Sequence, residues 1–129
     1  MERLKRRTVE LRKALKALEE ITREPYSVVV RDAAIQRFEY TFEAFWKFLR
    51  EYLREAEGIR SNSPKSCFRE ALGAGLISEE QSMTCLEMTD DRNLTAHTYI
   101  ETVADQIYRK IGSYCKLMEE IFNLVEENT

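Results

Sequence analysis

The stretch Ala34-Ile35-Gln36-Arg37-Phe38-Glu39-Tyr40-Thr41-Phe42-Glu43-Ala44-Phe45-Trp46-Lys47-Phe48-Leu49 decides the fold. Ala34, Ile35, Phe38, Phe42, Phe45, Trp46 and Leu49 recur at three- and four-residue steps, the period of an amphipathic α-helix. Read outward, the pattern takes in Val28, Val29, Ala33, Tyr52 and Leu53 and predicts one helix over Ser27–Glu57, closed by Gly58. These residues cover more than one stripe, so the helix needs neighbours on two sides. So much aromatic surface exceeds what a small bundle easily hides, and exposed apolar patches mark interfaces. A homodimer is therefore expected. What remains is a narrow polar line, Asp32, Gln36, Glu39, Glu43, Lys47, Arg50 and Arg54. Its ordinary reading is a solvated face with i,i+4 charge pairs worth a few tenths of a kcal/mol each. The sharper reading is that Gln36, Glu39 or Glu43 lines a cleft beside Arg92.

Before this helix, Leu4, Thr8, Leu11, Leu15 and Leu18 form one stripe of a helix over Glu2–Ile21, stopped by Arg23-Glu24-Pro25 because proline disfavours helix in the residue before it. After it, Ser63-Pro64 reads as an N-cap with proline at the first helical position of a short helix, Pro64–Leu72, that ends at Gly73, with Gly75 making the turn. Ser78-Glu79-Glu80-Gln81 is a capping box. It opens a helix carrying Met83, Leu86, Asn93 and Leu94. Val103, Ile107, Ile111, Tyr114, Met118, Ile121 and Leu124 mark a last helix over Glu101–Glu126. No strand-period segment, repeat or low-complexity tract interrupts them. The fold class is an all-α, up-and-down antiparallel bundle of four long helices plus one short one, in a single domain over residues 1–129.

Composition agrees: 129 residues, 43% apolar and 33% charged, with four Gly and two Pro, suit a helical domain with a real core. No uncharged run approaches the roughly 20 residues that span a bilayer, and the charged N-terminus lacks the apolar segment of a secretory signal, so a cytoplasmic protein without membrane contact is expected. Cys67, Cys85 and Cys115 are odd in number and scattered, which predicts reduced thiols filling the core. With one histidine, no zinc spacing exists, and neither metal nor cofactor is expected. The net charge of −3 hides a gradient. Met1–Glu24 holds eight Lys and Arg against five Asp and Glu, whereas Glu87–Thr129 holds four against nine. That is not the strong basic excess of a simple electrostatic nucleic-acid binder. The basic first helix is either a solvated face or a surface for phosphate or an acidic partner.

Chemistry concentrates in Asp90-Asp91-Arg92-Asn93-Leu94-Thr95-Ala96-His97-Thr98-Tyr99, which holds the only histidine. Arg92 and His97 are five positions apart, so on an ideal helix they point about 140° away from each other. They converge only if the helix ends between them, or if a second copy supplies the missing half across a two-fold axis. Imidazole can move a proton near neutral pH, and guanidinium can fork onto phosphate. Together they suffice for metal-free RNA cleavage, one group handling the 2′-hydroxyl or the leaving oxygen and the other the charge that builds on the phosphate. The ordinary alternative for a lone histidine near a helix end is a cap or a hydrogen-bonded structural residue.

Arg92-Asn93-Leu94-Thr95-Ala96-His97 resembles the R-x4-H signature, with a polar residue after the arginine, of the HEPN superfamily (higher eukaryotes and prokaryotes nucleotide-binding). Thr98-Tyr99 extends it to R-x4-H-x-Y, the form found in HEPN toxins paired with minimal nucleotidyltransferase antitoxins. Residues 31–43 resemble the same helix in the branch known as nucleotidyltransferase substrate-binding proteins. The likeness runs from about Leu4 to Phe122. It implies an all-α homodimer with two motifs facing one cleft, and a separately encoded minimal nucleotidyltransferase as partner. It also implies that Arg92 and His97 are a ribonuclease pair, that Asn93 supports them, and that Tyr99 is the hydroxyl the partner can block with nucleotide. One departure is Ile100, where relatives often place Asp or Asn to cap the last helix; Thr102 or Glu101 is the expected substitute.

Two functions of different classes follow. The chain is a ribonuclease toxin neutralised by its partner, or a non-catalytic subunit that presents substrate to that partner, Arg92 and His97 gripping nucleotide phosphate. The motif favours the first, and the acidic net charge fits the second. The plainest reading is a helical dimer with no ligand.

Overall fold

A computed structural model describes residues 2–128, so the expected domain span of 1–129 extends one residue beyond it at each end. Five α-helices follow one another: α1 (Glu2–Thr22), α2 (Val28–Glu57), α3 (Pro64–Gly73), α4 (Glu79–Leu94) and α5 (Glu101–Glu127), with a single 3₁₀ turn, Thr95–His97, between the last two. No strand occurs among the described residues. The predicted boundaries hold to within a residue or so.

The caps explain the boundaries. Ser27 Oγ accepts from the Val30 N–H at 3.0 Å, Ser63 Oγ from Ser66 N–H at 3.2 Å, and Ser78 and Gln81 close the predicted capping box. Each satisfies a backbone donor that the first helical turn leaves unpaired. Gly58 ends α2 at φ +68°, a left-handed conformation that a side chain would strain.

Side-chain contacts fix the directions. Arg37 donates to the Ala17 carbonyl at 2.7 Å and Thr41 approaches the Ala14 carbonyl at 3.3 Å, so α1 and α2 are antiparallel. Glu39 meets Thr95 and Glu43 meets Arg92, so α4 is also antiparallel to α2. Residues of α2 and α5 instead rise together: Arg31 faces Glu101 and Asp105, Phe38 stacks on Tyr114 at 5.6 Å, and Phe48 meets Phe122 edge-on at 5.2 Å. The up-down-up-down bundle is therefore flattened, with the parallel pair α2 and α5 in contact through its middle. The short α3 bridges α2 and α4, where Phe68 packs on Phe42 and Phe45.

Phe38, Phe42, Phe45, Phe48 and Leu49 are all 2% exposed or less. Burying each contributes about 1.5–3 kcal/mol, against a few tenths for each surface charge pair. Core packing, not charge pairing, holds the bundle. Phe38, Phe42, Phe45, Trp46, Phe48 and Tyr52 of α2 are enclosed within a single chain, while Tyr40 is 46% exposed. Val28 and Val29 in the first turn of α2 are also exposed, where burial was expected. In α4 the apolar residues named from the sequence do not share one face. Met83 is 72% exposed and Leu94 44%, while Cys85 and Met88 face the core. The polar residues of α4 blurred its period. All three cysteines are free and buried, as expected, and burial pushes each thiol up to about 12.

Candidate functional site

The segment from Arg92 to Tyr99 is where α4 gives way to α5. No glycine or proline breaks the helix here. Thr95 Oγ1 instead lies 2.6 Å from the Arg92 carbonyl and 2.9 Å from Glu39 Oε2, its one hydrogen serving these two acceptors. Such local side-chain bonding competes with helix continuation. The backbone tightens into the 3₁₀ turn, with the Thr98 N–H on Thr95 at 3.3 Å and the Ile100 N–H on His97 at 3.0 Å. The α-helix thus ends between Arg92 and His97, one of the two conditions under which the pair can converge.

Arg92 is half-buried, and its Nη2 stands 3.7 Å from Glu43. Its Nε is enclosed and has no hydrogen-bond partner among the described residues. Buried polar groups are nearly always paired, which sets this N–H apart. The Glu43 carboxylate also approaches Lys47 Nζ at 3.5 Å and accepts from Trp46 Nε1 at 3.2 Å. One anion therefore sits among three donors. His97 is exposed, and its ring lies 6.1 Å from that of Tyr99 in an edge-on arrangement. Tyr99 is 78% exposed, which places its phenol in solvent rather than packed on α5. Asn93 is exposed beside Arg92.

Of the three cleft candidates on α2, Glu39 and Glu43 reach the motif segment, Glu39 through Thr95 and Glu43 through Arg92. Gln36 is exposed and lies about 10 Å before Glu43 along the helix axis at 1.5 Å per residue. It makes no contact with the motif.

Residues that the sequence reading left without a role hold the segment in place. Asp91, 6% exposed, accepts from the Tyr114 hydroxyl and from Lys110 Nζ at 2.9 Å, both on α5. Burial and the Asp91 hydrogen bond raise the Tyr114 phenol well above its ordinary value. This anchor fixes the residue next to Arg92. On the far side of the motif, Ile100 stands at the start of α5 with no side-chain cap, so neither Thr102 nor Glu101 replaces it as expected. The Glu101 carboxylate turns instead to Arg31, at 2.6 and 3.3 Å, and Arg31 also meets Asp105 at 3.1 Å and Asp32 at 3.0 Å. Arg31 is only 2% exposed, while its carboxylate partners reach solvent. Hydrogen bonds from Arg31 hold Glu101 below its usual range. The same guanidinium and the Tyr26 hydroxyl hold Asp105 below its own. Tyr26 is raised in turn by its bond to Asp105.

Signals for both anchors were present in the chain. Arg31, Ile35, Phe38 and Phe42 continue one four-three-four stripe, so a charge stands at a core position. Cys85, Met88 and Asp91 do the same at three-residue steps. No group of three or more His, Cys, Asp or Glu that could hold a metal occurs among the described residues.

Residues 5–127 match the family described as nucleotidyltransferase substrate binding protein like. The chain belongs to this family. A crystal structure from Thermus thermophilus superposes with a TM-score of 0.86 at 50% identity, over 89% of this chain and 98% of that one. A Haemophilus influenzae protein called probable ribonuclease HepT is 33% identical over 95 residues, which is 70% of this chain but 62% of that protein's own length. A HEPN toxin of Shewanella oneidensis, solved in tri-AMPylated form in complex with an MNT antitoxin, shares the fold with a TM-score of 0.80 at 14% identity, over 98% of both chains. The expected nucleotidyltransferase substrate-binding family is therefore shown, and the likeness to the HEPN toxin is one of fold.

The Arg31 cluster gives this family member a testable pH signature. Glu101 and Asp105 sit below the ordinary values of about 4.3 and 3.9 that they regain on unfolding. The stability they supply is whole above those values and is lost as pH falls through the lowered folded ones. Arg31→Met should therefore melt below the wild type at pH 7, with the gap shrinking as pH drops below about 4. Thermal melts followed by circular dichroism across that range check this; a gap independent of pH would assign the loss to packing alone.

Proposed function

We propose that the chain is the ribonuclease toxin of a two-gene module, acting in the cytoplasm and held in check by a separately encoded minimal nucleotidyltransferase. The observation that carries this reading is the end of α4 between Arg92 and His97. It leaves a guanidinium with an unpartnered N–H, a solvent-facing imidazole and an exposed phenol on one short segment. On this reading His97 moves the proton, taking it from the 2′-hydroxyl as that oxygen attacks phosphorus or giving it to the leaving 5′ oxygen. Arg92 steadies the charge that builds on the non-bridging oxygens. Asn93 supports the pair by hydrogen bonding. His97→Ala should lower RNA cleavage by about 10²–10⁴-fold with the fold intact. Arg92→Lys should also lose activity, since an ammonium keeps the charge but not the fork. EDTA should change nothing. Cleavage that survives both substitutions, or that vanishes with EDTA, defeats the metal-free mechanism.

The second copy belongs to this reading too, because two motifs across a two-fold axis supply paired Arg and His sets to one cleft. Leu94 and Ile100 are exposed around the motif and offer apolar surface for that contact. Sedimentation at micromolar concentration should give a dimer; a 15.2 kDa species alone would remove it.

A second reading, a non-catalytic subunit that presents substrate to the nucleotidyltransferase, is favoured by Glu43, an acid already filling the anion position beside Arg92. Expression of the chain alone separates the two. Growth arrest relieved by His97→Ala indicates a toxin, and unimpaired growth a presenting subunit.

Regulation at Tyr99 completes the proposal. A nucleotidyl group on this exposed hydroxyl would add phosphate charge and a base beside His97, opposing RNA by repulsion and by bulk. Incubation with the partner, ATP and magnesium should add nucleotide mass to the wild type but not to Tyr99→Phe. That variant should still cleave RNA yet escape silencing. The same added mass on Tyr99→Phe, or none on the wild type, would show that the partner acts by binding alone.

A further inference from the structure

A groove of about 560 Å³ runs between α1 and α2 on the side of α2 that carries Glu43. Its floor is made of Ala14, Ala17 and Ala44, small residues that leave a depression where the two helices pack. Arg7, Lys13 and Lys47 stand along its walls, and Tyr40, 46% exposed, presents its ring at the edge. The geometry points to this groove as a track for single-stranded RNA, leading the strand from the basic first helix into the Arg92 site. This rests on the reading of RNA as the ligand of that site.

Four observations converge on it. First, the groove is continuous with the site through Glu43, which lines it and also pairs with Arg92 and Lys47. Second, the wall charges suit phosphate. Lys13 is exposed and makes no ion pair among the described residues, while Arg7 is held only by Glu10, 3.1 Å away and largely in solvent. Such exposed pairs are worth little and yield readily to a phosphate. Third, the basic supply extends beyond the groove. Arg3 lies one turn before Arg7, and Arg6 two turns before Lys13, on the same side of α1 and both exposed. Fourth, Tyr40 is an aromatic that lines the groove and is 46% exposed. Proteins that bind single strands combine just these parts, a basic groove that follows the backbone and aromatic rings on which bases stack. The acids do not cancel the pattern. Glu43, held by three donors, occupies an anion seat that a phosphate can take from it.

The test uses the full-length His97→Ala protein, which leaves RNA uncut, and a fluorescein-labelled 12-nucleotide single-stranded RNA read by anisotropy. Tyr40→Ala should weaken binding by about five- to a hundredfold, the range of a lost base stack, and Tyr40→Phe should restore it. Lys13→Glu and Lys47→Ala should each weaken binding and lower the slope of log affinity against log salt by about 0.7. Lys116→Glu on α5, outside the groove, is the control and should leave binding close to the parent. Circular dichroism melts exclude unfolding as the cause. Unchanged affinity and slope in the groove variants overturn the track, and so does an absence of RNA binding by the parent. If the parent binds through the groove while the wild type never cleaves, the track stands and the ribonuclease reading fails. If the wild type cleaves and the groove variants bind and cleave normally, the reverse holds, and an acidic surface of a protein partner becomes the groove's occupant.

Discussion

A single buried guanidinium sets the register on which the rest depends. Arg31 occupies a core position of α2, and its planar fork reaches Glu101 and Asp105 in the first turns of α5. The pairing does not add much raw stability, because the carboxylates are open to solvent and screened. Its effect is geometric. Hydrophobic stacking of Phe38 on Tyr114 and of Phe48 on Phe122 would tolerate a slide of α5 along α2, whereas two directed hydrogen bonds from a fork would not. Since Ile100 provides no side-chain cap, the same carboxylates also decide where α5 starts. The chain between α4 and α5 is thereby fixed at one end by Arg31. At the other it is fixed by Asp91, which Tyr114 and Lys110 hold against α5.

Between these two anchors the backbone must turn within a few residues, and α4 ends inside the motif. A continuous helix would send Arg92 and His97 about 140° apart. Ending α4 at Leu94 and tightening through Thr95 into a 3₁₀ turn changes the angular count after Arg92. Arg92 stays against α2, where Glu43 meets it, while His97 and Tyr99 turn out to solvent. Thr95 closes the helix end twice, its backbone N–H and its hydroxyl both donating to the Arg92 carbonyl.

How much of this was legible in the sequence follows from where side-chain chemistry speaks locally. Caps at Ser63 and Ser78, the stop at Gly58 and the periods of α1, α2 and α5 act within one or two turns, so they could be read directly. Met83 and Leu94 could not be placed. The core face of α4 is made partly of Ser82, Thr89 and Asp91, and a stripe of mixed polarity has no clear period. The partners of the α2 aromatics were not legible either. Helix α3 folds back and covers Phe42 and Phe45 with Phe68, a contact between residues distant in sequence that no local pattern announces. The motif residues themselves were legible because the family resemblance marks them. Their supports, Arg31, Asp91 and Tyr114, act between helices, and only a charge out of place on an apolar stripe hinted at them.

Net charge illustrates the same difference between global and local information. A total of −3 argues against a nucleic-acid ligand when spread evenly. The structure does not spread it evenly. Much of the acid is spent on internal or near-surface cations: Asp91 on Lys110, Glu101 and Asp105 on Arg31, Glu51 on Arg54. Acids engaged in this way project less field than their number implies, and field at a groove is set by the charges within a Debye length of about 8–10 Å. Around Arg92 those charges include Lys47 and the carboxylates of Glu43, Glu39 and Asp91, of which Asp91 is taken up by Lys110. Glu43 keeps two cations and an indole N–H from facing one another unpaired, so the anion seat is preformed without a ligand. A bound phosphate would replace one acid with another rather than build the seat anew, and preformed sites bind with less loss of side-chain freedom.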